Sequence, residues 1–266
     1  MIENCAALTI AASDSGGGAG IQADLKTFTA LGVYATCVIT AVTAQNLTEV
    51  SAIQSIEAEV VRKQLKAVLE GFPIKAVKTG MLFSAETVEV VAETLSAYPA
   101  IPMVIDPVFA ATSGRELIRD DAVSRLKEKL IPLAALVTPN VPEAEILSGK
   151  AIGSRNDMEE AARELFEKWK VPVLMKGGHL PAPDKTVDIL FDGDGIEAFE
   201  SPLIKGVNTH GSGCTLASAA AAGLAKGESL RKAISLAKSY MTNSLKKAFL
   251  LSPGLKVINH FTFFDD

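Results

Sequence analysis

The feature that most restricts the fold is the alternation of short apolar runs with longer amphipathic stretches along most of the chain. Apolar runs fall at 6–12, 34–44, 76–79, 103–105, 133–137 and 171–175, and helical stretches at 19–31, 57–71, 85–97, 121–130, 141–147 and 157–168. Strands joined by helices need crossover connections, which build a mostly parallel sheet with helices on both faces. The segment EAEVVRKQLKAVLE shows the helical period, with Val61, Leu65, Val68 and Leu69 on one stripe and charges opposite. After Lys176 the pattern changes. Runs at 186–191 and 196–201 flank Asp192-Gly193-Asp194-Gly195, which predicts an antiparallel hairpin at the sheet edge. Two further helices, 212–224 and 230–250, are expected to close the chain, with the tail HFTFFDD docked on the core. The reading is one α/β domain over 1–266, without repeats or linkers.

Composition narrows the function. A chain of 266 residues, 48% hydrophobic and 21% charged, matches an ordinary enzyme. The net charge of -5 and the lack of a Lys/Arg cluster exclude a nucleic-acid partner, leaving a small molecule. No apolar run reaches the roughly 18 to 20 residues of a membrane span, and no basic leader precedes the first strand. Cys5, Cys37 and Cys214, an odd set at no metal-like spacing, suit a reducing compartment, so the expected location is the cytoplasm.

Two glycine-rich turns stand between a strand and a helix. SDSGGGAG (13–20) is not a dinucleotide fingerprint, since Ile21 fills the position of the third small residue; its glycines suggest close approach of a ligand. NTHGSGCT (208–215) opens a helix, where successive N–H groups and the helix dipole would cradle a phosphate. The alanines that follow also suit close helix packing. Asp106 and Lys176 leave apolar strands, the one a carboxylate for a Mg²⁺–nucleotide, the other a cation for its phosphates. In TPNVPEAE, Asn140 and Glu143 read by themselves first as a helix capping box, a very common motif, though both are also hard-oxygen groups suited to Mg²⁺ or its waters. An anion loop, a cation and hard-oxygen ligands on one sheet edge are what phosphoryl transfer requires.

Taken in order, ASDSGGGAGIQADLKTF, ITAVTAQN, KTGML, DPV with Ser113-Gly114, TPNVPEAEIL, MKGGH and NTHGSGCTLASA resemble the hydroxymethylpyrimidine/phosphomethylpyrimidine kinases of thiamine synthesis. The resemblance spans nearly the whole chain and implies the ribokinase-like fold, with ATP and Mg²⁺ as cofactors and a homodimer. It implies phosphorylation of 4-amino-5-hydroxymethyl-2-methylpyrimidine and then of its monophosphate. Pyridoxine or pyridoxal, whose ring also carries a hydroxymethyl, is the rival substrate of the same fold, and a non-catalytic ligand-binding relative is a more distant alternative.

The resemblance further implies that Gln45 pairs with the aminopyrimidine edge and that Gly20, Asp24, Val42 and Met81 line the pyrimidine pocket. It puts Lys176, Asn140 and Thr209 on the nucleotide, Asp106 and Glu143 at the metal, and Gly211, Ser212, Gly213 and Cys214 at the transfer point. Core packing is the competing explanation for Val42 and Met81, and helix-surface solvation for Asp24. Related sugar kinases carry an aspartate base where this chain has Cys214. A free thiol titrates near ~8.5 and a helix N-terminus lowers that value, so Cys214 is expected to accept the hydroxymethyl proton. His210 is a rival base, expected to point away from the substrate. Ala12 and Phe109 depart from the commonest form of the motifs, where glycine and methionine stand, and add bulk near the pocket.

Overall fold

The first strand, β1 (Ala6–Asp14), is buried along almost its whole length, as a strand covered by helices on both faces must be. The computed structural model of the protein describes residues 5–110, 117, 119–178, 180 and 184–262. In chain order β1 is followed by α1 (Gly20–Ala30), β2 (Tyr34–Gln45), β3 (Val50–Ser55), α2 (Ala58–Gly71), β4 (Ile74–Thr79), α3 (Ala85–Ser96) and β5 (Met103–Ile105). Next come α4 (Asp120–Arg125), β6 (Leu136–Val137), α5 (Val141–Ser148), α6 (Arg155–Trp169), β7 (Val173–Met175), β8 (Lys185–Phe191) and β9 (Ile196–Pro202). The chain closes with α7 (Ser212–Ala225), α8 (Leu230–Lys246), β10 (Phe249–Ser252) and β11 (Leu255–Val257).

Nine strands form one sheet in the order β3-β2-β1-β4-β5-β6-β7-β8-β9. The pairs from β2 through β7 are parallel, while β3 pairs antiparallel with β2 at one edge, and β8 with β7 and β9 with β8 at the other. Side chains of α2, α3, α5 and α6 pack on one face. Those of α1, α7 and α8 pack on the other. The alanines of α7 serve this packing: a Cβ on Gly223 would stand 2.8 Å from Ala233 Cβ, so the two helices nearly touch. The chain leaves β1 first toward β2 and later toward β4, so the crevice beside β1 is the switch point at which open α/β sheets bind ligands.

Three departures from the sequence reading have physical causes. The strand expected at 133–137 starts only at Leu136, because residues 131–133 form a 3-10 turn around Pro132. β3 is largely exposed and carries no apolar run to betray it. The last helix ends at Lys246 rather than 250, and β10 and β11 form a hairpin around Pro253-Gly254, a turn signal that outweighs the apolar run 249–251. The edge hairpin of β8 and β9 is present as expected.

The tail docks on the core through Asn259, His260 and Thr262, all buried. His260 Nε2 lies 3.0 Å from Thr215 Oγ1, and Tyr240 Oη donates to the His260 carbonyl at 2.7 Å. Burial, with a smaller push from Lys26, holds the His260 imidazole down to about 4. The unfolded chain takes up that proton near pH 6.5 and the folded chain only near 4. Stability contributed by the neutral ring is therefore intact above pH 6.5 and lost as pH falls toward 4. The melting temperature is expected to drop across this window, and the drop should shrink in His260→Asn; an unchanged slope in that variant would show that other groups govern acid unfolding.

Candidate active site

The carboxyl ends of β1, β2, β4, β5, β6 and β7 open on one cavity of about 700 Å³, closed on the far side by the N-terminus of α7. At its edge the turn after β1 is organised by Asp14. Asp14 Oδ1 accepts the Gly16 N–H at 2.8 Å, and Oδ2 accepts those of Gly18 at 3.1 Å and Ala19 at 2.8 Å. This cradle therefore encloses the chain's own carboxylate. Burial pushes Asp14 up, but hydrogen bonds from His210, Ala19 and Gly16 outweigh it and hold the group below the ordinary carboxylate value. The glycines answer mainly to protein contacts: a Cβ on Gly18 would meet the His210 ring at 2.8 Å, and one on Gly20 the Ala12 carbonyl oxygen at 2.3 Å.

His210 corrects the sequence reading, because its ring faces the cavity. Nε2 lies 3.0 Å from Asp14 Oδ2 and 3.2 Å from Gln45 Nε2. One ring nitrogen cannot donate to Asp14 and accept from Gln45 together. The ionised Asp14 has no hydrogen to give, so Nε2 donates to it and the Gln45 amide is not locked by the imidazole. Gln45 lines the cavity and keeps a contact of 3.2 Å from its Oε1 to Thr43 Oγ1.

The second glycine loop leads into α7. Gly211 adopts φ +84, and a Cβ there would stand 1.8 Å from the Gly18 carbonyl oxygen, so the two loops touch backbone to backbone. Ser212 N–H donates to the Thr209 carbonyl and Thr215 N–H to that of Gly211. The N–H groups of Gly213 and Cys214 have no acceptor among the described residues, and no acidic residue sits in the first turn of α7. They stand at the positive end of a 14-residue helix, free for an anion.

Cys214 lines the cavity, as does Gly20. Burial pushes its thiol up to about 12; nearby Lys78 opposes the rise, while Asp24 and Asp106 add to it. The expected acidification by the helix N-terminus is thus overruled by desolvation, and the resting group is a neutral thiol.

Beside this loop, Lys176 Nζ contacts Asp106 Oδ1 at 2.6 Å and Glu143 Oε2 at 3.7 Å. Burial lowers Lys176, but the two carboxylates outweigh it and hold the amine well above the ordinary lysine value. Gly213 leaves room for this cluster, since a Cβ there would lie 3.1 Å from Lys176 Nζ. Asn140 and Glu143 do form a capping box: Asn140 Oδ1 accepts the Glu143 N–H at 2.9 Å and Glu143 Oε2 accepts that of Asn140 at 2.7 Å. Both also line the cavity. Burial, partly offset by Lys176 and reinforced by Asp106, pushes Glu143 up to about 7.

Gly20, Met81, Thr209, Ser212 and Gly213 line the cavity, with Ala12 and Phe109. Two residues expected in the pyrimidine pocket do not reach it. Val42 is 45% exposed, because strand alternation turns Thr43, its neighbour, to the cavity. Asp24 is fully buried beneath the cavity floor, neither in the pocket nor in solvent, paired with Lys78 at 2.8 Å. Ser113-Gly114 and His179 lie outside the described residues. Sequence reasoning missed Asp14, whose signal was an Asp preceding three glycines at turn spacing. It also missed an apolar wall of Leu203, Ile204, Met241 and Leu245 on the side of Lys176, assembled from distant elements.

Open N–H groups beside a paired lysine, on a sheet of this topology, can steady a phosphoryl group in flight; the fold and site define a ribokinase-like kinase of small molecules. The family model described as phosphomethylpyrimidine kinase matches residues 14–259, and the chain belongs to that family. It is 53% identical over 253 residues to the thiamine biosynthesis bifunctional protein ThiED of Geobacter sulfurreducens, spanning 95% of this chain and 51% of that protein. It is 44% identical to the hydroxymethylpyrimidine/phosphomethylpyrimidine kinase of Bacillus subtilis, over 97% of this chain and 95% of that one. Among solved structures, the pyridoxal kinase of B. subtilis in its ADP complex superposes with a TM-score of 0.90 at 36% identity, covering 99% of this chain and 100% of that one. The phosphomethylpyrimidine kinase of Clostridium difficile 630 gives 0.79 at 42%, covering 89% and 97%.

Proposed function

We propose that the chain transfers the γ-phosphoryl group of ATP to the hydroxymethyl of 4-amino-5-hydroxymethyl-2-methylpyrimidine, and then a second phosphoryl group to the monophosphate. The observation that carries this reading is a single cavity lined by Gln45 and Met81, by the Lys176 cluster, and by Cys214 with the open N–H groups. Gln45 offers a donor and an acceptor to the aminopyrimidine edge, and Met81 a soft wall to the ring. Lys176 and the Gly211–Cys214 backbone steady the phosphates, with Asn140 and Thr209 beside the nucleotide and the apolar wall of α8 for its base.

Because the thiol is neutral at rest, Cys214 can accept the hydroxymethyl proton only as its own proton passes to an oxygen of the incoming phosphoryl group. The S–H bond that breaks is replaced by one to the alcohol's hydrogen, the new O–P bond forms, and ADP leaves. The sum moves one proton from alcohol to phosphate without a free thiolate. A loose transition state suits such late proton movement.

Asp106 and Glu143 fit a Mg²⁺ ion that arrives with the nucleotide. Asp106 Oδ2 and Glu143 Oε1 have no donor among the described residues, and no third His, Cys, Asp or Glu completes a cluster there. Mg²⁺ commonly takes one or two carboxylates and draws its other oxygens from water and phosphates. When bound it would withdraw charge from the phosphate oxygens.

Product analysis over time with the pyrimidine alcohol and ATP tests the assignment: monophosphate should appear first and diphosphate follow. Pyridoxal is the second reading, favoured by the TM-score of 0.90 to a pyridoxal kinase. Identities of 53% and 44% to thiamine-pathway proteins, against 36% to that kinase, weigh the other way. Turnover of pyridoxal alone would sink the pyrimidine assignment. The free state of Cys5, Cys37 and Cys214 supports a cytoplasmic setting, and no helix among the described residues is long and apolar enough to cross a membrane. The exposed edge strand β3, beside exposed Val42, offers a surface for the homodimer the family resemblance implies; sedimentation would decide it.

A further inference from the structure

The KTGML segment contributes Met81 to the cavity, but its lysine has no part in the chemistry described so far. Lys78, at the end of β4, is fully buried, and its Nζ contacts both oxygens of Asp24 at 2.9 and 2.8 Å. Asp24 also accepts from Thr9 Oγ1 and Ser218 Oγ, each at 2.6 Å, so β1, α1, β4 and α7 meet on one carboxylate. Burial raises Asp24 even against the contacts from Lys78, Ser218 and Thr9, while the Asp24 carboxylate outweighs burial at Lys78 and holds the amine above the ordinary lysine value. Both recorded contacts of the ammonium go to Asp24, which leaves one of its three hydrogens without an acceptor among the described residues.

Stability does not explain such a pair, since well-packed apolar residues in its place are often as stable or more so. Its location does. Gly80 bears no side chain where a Cβ would stand 2.9 Å from Lys78 Nζ and 3.1 Å from Ala11 Cβ, and Ala11 lines the cavity. Ser218, tied to Asp24, lies one turn past Cys214 on α7. The ammonium is thus held under the cavity floor beside the helix turn that carries the thiol. The charged groups acting on Cys214 are Lys78 from β4, Asp24 from α1, Asp106 past β5 and Lys176 past β7. Of these, Lys78 opposes the desolvation of the thiol most strongly.

We propose that Lys78 is a positioning residue for phosphoryl transfer: held by Asp24, its ammonium is the counter-charge for negative charge that develops on Cys214 Sγ as the proton is exchanged. The inference rests on the role of Cys214 proposed above. Its test reads the thiol and the turnover separately. In the full chain, Asp24→Asn/Lys78→Met removes both charges together and leaves none buried alone. Iodoacetamide labelling of Cys214 at pH 8, followed by mass spectrometry of the Cys214 peptide, is expected to slow about tenfold, the consequence of one unit in the thiol's pKa. The kcat for the pyrimidine alcohol should fall by a similar factor with the KM for ATP unchanged.

Labelling unchanged or faster in the folded variant overturns the role of Lys78, since mere loosening would expose the thiol and speed the reaction. Slower labelling with normal kcat overturns the role of Cys214 instead, and with it the relevance of Lys78 to turnover. Gly80→Ala supplies a second variant should the double one not fold. Its methyl displaces the ammonium while both charges stay, and labelling should again slow; an unchanged rate counts against the proposal.

Discussion

Cys214→Ala is expected to lower kcat by about 10²- to 10⁴-fold, the usual range for a positioned proton-transfer group, with the KM for ATP little changed. The thiol is neutral, pushed up to about 12 by burial, so in the proposed mechanism it acts by relay rather than as a preformed base. That distinction gives the substitution series its shape. Cys214→Asp introduces an acid into a site where desolvation and Asp106 oppose its ionisation, and should recover only part of the loss. Cys214→Ala with near-normal kcat would remove the thiol from the proton path, leaving the substrate phosphoryl oxygens to accept the proton directly. Single-turnover kinetics on both variants separate this chemical step from product release.

Gly211→Ala should be comparably severe by a different route. The position requires φ +84, which costs an L-residue roughly 1–2 kcal/mol before any contact is counted. The added Cβ would also fall 1.8 Å from the Gly18 carbonyl oxygen. Neither loop can give easily: Gly18 is tied by its N–H to Asp14, and Gly211 begins α7. The open N–H groups of Gly213 and Cys214 would be carried away from the phosphoryl position. Loss of one such donor typically costs about 10²- to 10³-fold in kcat, and the strain adds a lower melting temperature. A variant with wild-type melting and turnover would show that the loops tolerate separation and that the cradle lies elsewhere.

The contrast between Met81 and Val42 shows how far local pattern carries. Both were placed in the pocket by resemblance and both are apolar, yet Met81 lines the cavity and Val42 is 45% exposed. Pairing between β1 and β2 shifts register between Ala11 and Ser13, and Thr43, not Val42, takes the inward place. Alternation along a strand is visible in sequence, but its phase depends on where the bulge falls. Asp24 makes the same point for charge. One carboxylate on a helix reads as solvated until Lys78, 54 positions away, is found against it.

Apolar periodicity, glycine turns and the spacing of strand ends determined by themselves a mostly parallel α/β sheet with a glycine loop opening α7. These are local properties: the side-chain period and the φ freedom of glycine act within a few residues. Only the tertiary structure decided that the first glycine turn encloses Asp14, that His210 faces the cavity, and that the Cys214 thiol is neutral. Each depends on desolvation or on contacts between residues far apart in the chain, and the energy of a buried charge is set by what surrounds it in space.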